Sequence, residues 1–418
     1  MTDYRSALLA GGRDRPLRIV LVQTCPELSA EARVVYGLLK QLADLGVPPQ
    51  VLLLQGVSAA QPDSPVPAMF RELPGLVVQT VRMGQLGQYR RHLLDPAIKA
   101  LDAGLIRLAL RGLTQQALAF QPDIVYSAQQ LWDMRIATAL ARAVQRPRVV
   151  HLHYLVGAWL GRAALSGLQS AGMVIAISDF VRAGALRYGV APERICTLHN
   201  STPLPPELSA EERAYRRADL RTELGLRHDS LLLGMVARLT RWKGQEELLR
   251  AALPLLAEMP QLALLFAGSE DITGRGLAAR LQQLARETGV ADRVRLLGHR
   301  SDVPTILDAL DLFAHPSRDE PFGLAVLEAM AHRLPVVAWA EGGTAEIVLD
   351  GVTGFLVEPA DLPGLTRALA TLLRDEPLRR QMGVDARLRA GREFDPALTA
   401  QRFESLLRRA AAGTGPAR

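Results

Sequence analysis

Glu320 and Glu328 are two carboxylates placed around one apolar stretch, "PFGLAVLEAMA", which runs from residue 321 to residue 331. Glu320 directly precedes the stretch, and Glu328 is the only charged side chain within it. A buried carboxylate is costly unless donors satisfy it, and the two hydroxyls of a sugar or ribose diol are such donors. The pair therefore indicates a site for a hydroxylated ligand. The alternative for Glu328 is a narrow wet face of a helix or a structural arginine partner.

The start of the same stretch favours anion binding. Pro321 is expected in the first turn of a helix, where its fixed φ angle fits. The first amides of a helix lack helical partners, point outward and bind anions. The amides predicted to do so belong to Phe322, Gly323 and Leu324. The sequence thus places an anion site beside the two carboxylates.

A second anion site is predicted in "GMVARLTRWKG", where a strand is followed by Arg238 and Lys243 and then by a helix that starts near Gly244. Two cations beside a helix N-terminus suit a phosphate or a diphosphate. A solvated basic loop is the alternative interpretation. Gly268 and the "GGT" that ends at Thr344 follow two further strands, where a glycine lets a ligand approach the backbone. A plain turn is the alternative for these glycines.

The elements that must hold these residues follow a β-α rhythm along almost the whole chain. Short apolar runs such as "LRIVLVQT" and "LALLFAG" alternate with amphipathic segments, which predicts parallel sheets covered on both faces. Three prolines in "PLPP", residues 203–206, break the rhythm and mark a domain boundary. The predicted fold class is α/β, with two doubly wound Rossmann-like domains that face a central cleft. The predicted divisions are residues 1–203, residues 204–390 and a C-terminal helix in 391–418 that packs back towards the first domain.

Composition limits the class of protein. A chain of 418 residues is too long for a single core, so two domains are expected. The net charge of +6 favours anionic ligands or an anionic membrane surface, but the arginines are scattered, so nucleic-acid binding is not indicated. Two cysteines imply no disulfide framework and suit a reducing compartment. No signal peptide or bilayer-spanning run is found, which predicts a cytoplasmic protein or one peripheral at the inner face of the membrane.

Familiar cofactor motifs are missing from the sequence. No G-x-G-x-x-G follows a strand, and there is no P-loop and no H-E-x-x-H. His151 and His153 form an H-x-H pair on one face of a predicted strand, but no third ligand accompanies them, so a metal site is the weaker interpretation. No cofactor is predicted.

The second domain closely resembles the retaining GT-B glycosyltransferases of family 4 (glycosyl transferases group 1), which use nucleotide sugars. The matching segments are "VARLTRWKGQEELLRA", "LLFAGSE", "LLGHRSDVPTILDALDLFAHPS", "DEPFGLAVLEAMA" and "EGGTAEIVLDGVTGFLV". They cover most of residues 230–360 in the family's order, and Glu320 and Glu328 supply its E-x7-E pair. By this resemblance the first domain is the acceptor side and the second domain binds the nucleotide sugar.

The resemblance implies four catalytic residues. Arg238 and Lys243 would neutralise the donor diphosphate, where charge grows on the leaving group. Glu320 would hold sugar hydroxyls, and His153 would lie beside the reacting carbon. No bound metal is expected, because the two cations would do its electrostatic work.

The resemblance also implies a donor-binding set. Glu328 would bind the nucleotide ribose, and Arg300 in "GHRSD" would lie near the base. The full set comprises Gly268, Arg300, Phe322, Gly323, Leu324, Glu328 and Thr344.

The first domain matches the family less well. Ser29 and Ala30 stand where two glycines are usual, so a loop meant to pass close to a diphosphate is altered. Asn200 matches the family's "HNG" turn, but residues 201–203 differ from the remainder of that motif. The implied acceptor-side residues are Ser29, Ala30, His151 and Asn200.

The implied function is transfer of a sugar to a glycan, lipid-linked or small-molecule acceptor in the synthesis of a surface polysaccharide or glycoconjugate. An amphipathic segment, residues 96–120 with Lys99, Arg107 and Arg111, would suit peripheral membrane contact; a packed helix with ordinary surface cations is the alternative. A nucleotide-sugar epimerase of the same architecture and a non-catalytic nucleotide-sugar-binding scaffold are the alternative functions. The sequence does not determine the donor base, the linkage or the oligomeric state.

Overall fold

The computed structural model describes residues 15–25, 29–57, 65–82, 109–128, 131–271 and 273–415. The chain divides into two compact units. One ends at Asn200 and takes up the chain again from Pro396, and the other is Ser201–Asp395. The sequence predicted boundaries at residues 203 and 391, and both lie within a few residues of the observed divisions. The proline-rich segment, residues 203–206, belongs to the second unit.

The first unit contains a seven-stranded parallel sheet in the order β3-β2-β1-β4-β5-β6-β7. Its strands are β1 (Arg18–Gln23), β2 (Gln50–Val57), β3 (Leu76–Arg82), β4 (Ile124–Ala128), β5 (Arg148–Leu152), β6 (Met173–Ala176) and β7 (Ile195–Thr197). Its helices are α1 (Ala30–Asp44), α2 (Pro65–Phe70), α3 (109–120), α4 (Leu131–Val144), α5 (Gly161–Gln169), α6 (Asp179–Arg187) and α15 (Pro396–Ala411).

Helix α1 shows how the sequence sets these elements. The Ser29 hydroxyl accepts a hydrogen bond from the Ala32 amide and so caps the helix N-terminus. Apolar side chains at helical spacing, among them Leu38 and Leu42, face the sheet. The terminal helix α15 adds Phe403 to the same core, because its apolar stripe would otherwise remain in water. The C-terminal residues therefore complete the core of the first unit.

The second unit contains a six-stranded parallel sheet in the order β10-β9-β8-β11-β12-β13. Its strands are β8 (Leu231–Val236), β9 (Leu262–Ala267), β10 (Val294–Gly298), β11 (Leu312–His315), β12 (Val336–Trp339) and β13 (Gly354–Val357). Its helices are α7 (Ala210–Glu223), α8 (Gln245–Glu258), α9 (Leu277–Glu287), α10 (Val303–Ala309), α11 (Leu324–Ala331), α12 (Thr344–Ile347), α13 (Leu362–Arg374) and α14 (Glu376–Glu393).

Both sheets reverse their direction of growth between their first and fourth strands. In the second unit this switch point lies between β8 and β11, which are hydrogen-bonded neighbours. The loops that leave two such strands diverge, and the crevice between them is where open α/β sheets bind ligands. The predicted fold class, with two doubly wound Rossmann-like domains, is confirmed.

Within the described portion of the chain, no helix combines the length and the apolar character needed to cross a bilayer. Of the amphipathic segment at residues 96–120, Arg111 lies in α3, whereas Lys99 and Arg107 fall outside the described residues.

Candidate active site

The loop after β8 carries the predicted diphosphate cations. It forms a short 3-10 turn, Arg241–Lys243, and then enters α8 through Gly244. Gly244 has a φ angle of 83°, and a Cβ atom on it would lie 1.9 Å from the carbonyl oxygen of Pro316. Only glycine allows this contact between the loops that follow β8 and β11. Lys243 is thereby placed against the residues that follow β11.

Lys243 forms an ion pair with Glu320. Its Nζ lies 2.5 Å from Glu320 Oε2, and the two side chains are 13% and 8% exposed. The same oxygen accepts a hydrogen bond from Ser317 Oγ at 3.0 Å and lies 2.9 Å from His315 Nε2. The ring of Trp242 packs 4.1 Å from the ammonium. The predicted cation and carboxylate therefore meet at the switch point.

The electrostatics of this cluster keep Glu320 ionised. Burial by itself raises the pKa of the carboxyl, but the hydrogen bond from His315 and the charge of Lys243 outweigh it and hold the pKa below its usual value. Burial lowers the pKa of His315, so the ring is neutral and donates through Nε2. The cluster thus contains one cation and one anion fixed by neutral donors.

His315 and Ser317 were not predicted as site residues. His315 ends β11, and Ser317 follows two positions later. Their positions after a buried strand were the available signal, because polar residues at the carboxyl end of a strand face the ligand crevice.

Arg238 lies in the loop after β8, at the start of the segment that leads to Lys243. Its side chain is 62% exposed, and its Nη1 donates to Asp271 Oδ2 at 2.8 Å. Gly268 directly follows the neighbouring strand β9 and has a φ angle of 142°, and a Cβ there would lie 1.9 Å from the Ala237 carbonyl oxygen. The loops after β8 and β9 therefore touch beside Arg238. Asp271, which sequence reasoning missed, gives this cation a carboxylate partner.

The N-terminus of α11 differs from the prediction. The helix begins at Leu324 with Gly323 as its N-cap, so the prediction that Pro321 lies in the first helical turn was wrong. Gly323 has a φ angle of 105°, and a Cβ on it would lie 2.9 Å from Thr344 Cγ2. Because the N-cap Gly323 is left-handed, the helix begins at Leu324 and not at Pro321. The same residue packs against the buried Thr344.

The residues predicted for donor binding are buried to different degrees. The ring of Phe322 is buried and packs edge-on against Phe394, so only its backbone can face a ligand. Glu328 is half-buried and lines a cavity of about 790 Å³ together with the proline-rich segment 202–208 and Val303. Arg300 is held by two carboxylates, Glu223 and Asp302.

The residues predicted for the acceptor side belong to the first unit. His151 lies in β5, with its Nδ1 2.6 Å from the Tyr126 hydroxyl oxygen, and its ring centroid is 4.3 Å from that of His153. Burial lowers the pKa of both rings, to about 4 for His153, so both are neutral near pH 7. Ser29 caps α1 and Ala30 is its exposed first residue, which gives this pair a helix-starting role. Asn200 is buried and is the last residue of the first unit before the chain enters the second unit.

Two family profiles match the chain. The one described as Glycosyl transferases group 1 matches residues 216–389, and the one described as Glycosyltransferase Family 4 matches residues 32–204. Together they span most of both units.

Curated relatives include proteins named D-inositol 3-phosphate glycosyltransferase. Those from Mycobacterium marinum and Mycobacterium tuberculosis are 30% identical over 325 and 329 residues. Each alignment covers 74% of this chain, and it spans 66% and 65%, respectively, of the relative's length.

Solved structures share the fold. Anabaena HepE, in complex with UDP and glucose, superposes with a TM-score of 0.76 and 23% identity over 94% of this chain and 99% of its own. Sucrose-phosphate synthase from Thermosynechococcus elongatus superposes with a TM-score of 0.72 and 23% identity over 95% of this chain and 100% of its own. With two matching profiles, two doubly wound sheets and a shared fold, the chain belongs to the GT-B glycosyltransferases of group 1 and family 4.

Proposed function

We propose that the protein is a retaining glycosyltransferase that moves a sugar from a nucleotide-sugar donor to a hydroxyl of a glycan, lipid-linked or small-molecule acceptor. The observation that carries this proposal is the cluster of Lys243, Glu320, His315 and Ser317 at the switch point of the second sheet. The N-terminus of α11 follows within a few residues. Cation, carboxylate and helix amides are the groups that a sugar diphosphate requires.

The chemistry assigned to the cluster is stabilisation of the leaving group. The bond between the anomeric carbon and the diphosphate oxygen breaks, and a bond from that carbon to the acceptor oxygen forms on the same face. Lys243 and Arg238 offset the negative charge that develops on the departing diphosphate. Its phosphate oxygen takes the proton that the acceptor hydroxyl loses, so no separate base is required. Because two cations serve the diphosphate, the proposal includes no resident metal.

Binding the donor requires both cations to change partners. Lys243 pairs with Glu320 and Arg238 with Asp271, so a diphosphate must compete with two carboxylates. Glu320, relieved of part of its contact with Lys243, would then accept from sugar hydroxyls. Glu328, which borders the cavity beside residues 202–208, is assigned to the ribose diol.

The relatives guide the choice of substrates. HepE has been solved with UDP-glucose, so UDP-sugars are the first donors to test. The curated relatives are named for a phosphorylated inositol, so polyols and sugars, with and without phosphate, are the first acceptors. A role in the synthesis of a surface polysaccharide or another glycoconjugate is part of the proposal.

The test is a mass-spectrometric assay of purified protein with a panel of nucleotide sugars and acceptors. We expect donor consumption that is lost in Lys243→Ala and in Glu328→Ala but kept in Arg227→Ala, an exposed cation paired with Asp229 away from the switch point. Full turnover in both site variants would refute the assignment of the site. Isomerised donor without any transfer would favour the epimerase instead.

A further inference from the structure

The second unit contains a further cavity, of about 760 Å³, lined by the segments that follow β8, β9 and β13 and by the helices α8, α9 and α13 that these segments enter. Its volume falls in the range of small-molecule sites, about 300–1,000 Å³. Among the described residues that line it, none belongs to the cluster around Lys243 and Glu320, so it is separate from the proposed donor site. Its charged lining residues are Arg241, Glu246, Glu247, Arg250, Arg275 and Arg280.

The lining of this cavity carries an excess of positive charge, because four arginines face two glutamates. Arg250 Nη2 lies 2.6 Å from Glu246 Oε1, and Arg280 Nη2 lies 3.4 Å from the same oxygen. One carboxylate oxygen thus serves two guanidinium groups, which lie close together and repel each other. A ligand that brings two negative charges would balance the lining and relieve this repulsion.

Arg241 and Arg275 are the cations most available to such a ligand. Both are exposed, and neither forms an ion pair within the parts of the chain that the structure describes. The carboxylate of Glu270 is already bound to the start of α9, where it accepts from the amides of Gly276 at 3.3 Å and Ala278 at 2.6 Å. Two guanidinium groups on different loops can therefore donate to one anion, and this fork geometry matches phosphate oxygens.

Contacts between the two loops fix the positions of these arginines. Arg241 is the first residue of the 3-10 turn Arg241–Lys243 after β8. Arg275 follows Gly274 after β9, and a Cβ atom on Gly274 would lie 1.7 Å from the Leu239 carbonyl oxygen. The backbones of the two loops are therefore in direct contact, and both arginines border the same cavity. A site that is preorganised in this way loses little conformational freedom when it binds a ligand.

The charge and the lining together fit a phosphate monoester. Its phosphate group carries about −1.5 to −2 charge at neutral pH and offers three strong acceptor oxygens, which matches the excess of two cations. The cavity is far larger than a single anion requires, and Leu277 and Leu362 in its lining can contact a carbon skeleton. We propose that this cavity is a second ligand site, separate from the donor site, and that it binds a phosphorylated small molecule. Arg241 and Arg275 hold the phosphate group.

The first experiment is calorimetry on the full chain with the donor site saturated by UDP. The probes are glucose 6-phosphate, glycerol 3-phosphate and inorganic phosphate. We expect at least one ester to bind about tenfold more tightly than inorganic phosphate, because only the esters also contact the apolar lining. No binding of either ester at millimolar concentration overturns the proposal. Equal or tighter binding of inorganic phosphate would assign the cavity to a free ion and overturn the ester assignment.

UDP is titrated separately into the unliganded protein. If UDP does not bind, the proposed donor site fails, whereas the ester titration still tests the cavity. The two proposals can therefore fail independently.

Variants then locate the bound ester. Arg241→Ala and Arg275→Ala should each weaken ester binding about tenfold or more, because a hydrogen bond to a charged group is lost. Glu247→Gln should strengthen it several-fold, because a carboxylate of the lining no longer repels the phosphate. Arg374→Ala, at an exposed arginine paired with Glu258 outside the cavity, is the matched control and should change nothing.

The same variants separate the cavity from the donor site. UDP affinity should stay within about twofold of wild type in Arg241→Ala and Arg275→Ala, because the two sites share no ligand contact. Ester binding that survives both alanine substitutions contradicts the site, and UDP binding that is lost together with ester binding would place these arginines in the donor site instead. Thermal melting shows that each variant is folded, which is expected because both arginines are exposed.

Discussion

Lys243 Nζ lies 2.5 Å from Glu320 Oε2, and this pair is almost withdrawn from water in the second unit. Bringing two charges out of water is costly, and their attraction offsets the cost only while both are present. Because the pair also marks the proposed diphosphate site, the same two side chains affect stability and donor binding. Measurements of the two properties together can separate these roles.

Removal of one partner of the pair should be more damaging than removal of both. Lys243→Met leaves the buried Glu320 carboxylate with only the neutral donors His315 and Ser317, and we expect a loss of about 3 kcal/mol in unfolding free energy. The double variant Lys243→Met/Glu320→Gln should recover much of that loss while transfer stays abolished. Urea denaturation of the four proteins in this cycle measures the coupling. Additive effects would show that the pair contributes nothing as a pair.

Gly244 should be intolerant of a side chain, and Gly276 provides a matched control. Both are left-handed N-caps, with φ angles of 83° and 84°, but only the Cβ at Gly244 would meet a neighbour, the Pro316 oxygen at 1.9 Å. Gly276→Ala should cost about 1–2 kcal/mol from backbone strain alone. Gly244→Ala should cost clearly more and should also displace Lys243, lowering donor affinity. Equal thermal shifts in the two variants would contradict the close contact.

Asp133 should make stability depend on pH in an unusual direction. Its pKa is raised from 3.8 to about 8 in the folded chain, chiefly by burial. A raised pKa contributes stability that is fully present below the unfolded value and is lost as pH rises through the folded value. Asp133→Asn removes this titration and keeps an oxygen for the Thr24 amide. The stability of wild type relative to Asp133→Asn should therefore fall by about 1.4 kcal/mol per pH unit between about pH 4 and pH 8.

Thermal melting of wild type and Asp133→Asn across this range tests the pH prediction. Glu72→Gln, an exposed carboxylate in the same unit, serves as the control and should show no comparable divergence from wild type. Parallel curves for wild type and Asp133→Asn would mean that the carboxyl titrates normally.

The sequence predicted the donor-side residues through a local rule. Lys243 and Glu320 follow apolar runs, and residues after parallel strands lie at one edge of the sheet, so both were expected at the same edge. That they touch depends on β8 and β11 being neighbours in the sheet, which the sequence did not predict. His315 and Asp271 were missed because their significance depends on which loops touch, and this is set by glycines whose neighbours are distant in sequence. The error at Pro321 has a similar cause, since the left-handed Gly323 against Thr344 decides where α11 begins.

The first unit was predicted less completely because its polar residues are isolated in sequence. Asp133 is one carboxylate in a helical segment with no motif around it, and only the fold brings it to the Thr24 amide. Glu31 is followed by the apolar face of α1, which gives no sign that the carboxylate is buried. The two histidines drew attention in the sequence as an H-x-H pair at a predicted strand end, and the role predicted for His153 came from the family resemblance.

Asp271 should compete with the donor diphosphate for Arg238. It holds Arg238 Nη1 at 2.8 Å, although the arginine is largely exposed, so the pair is screened by water and contributes little stability. Asp271→Asn should free Arg238 for the ligand and tighten UDP binding about two- to fivefold, with little change in melting temperature. Arg238→Ala should weaken UDP binding by about tenfold or more, because a charge-assisted contact with the diphosphate is lost. Calorimetric titration of UDP into the three proteins measures both effects, and unchanged affinity in Arg238→Ala would exclude that cation from the diphosphate site.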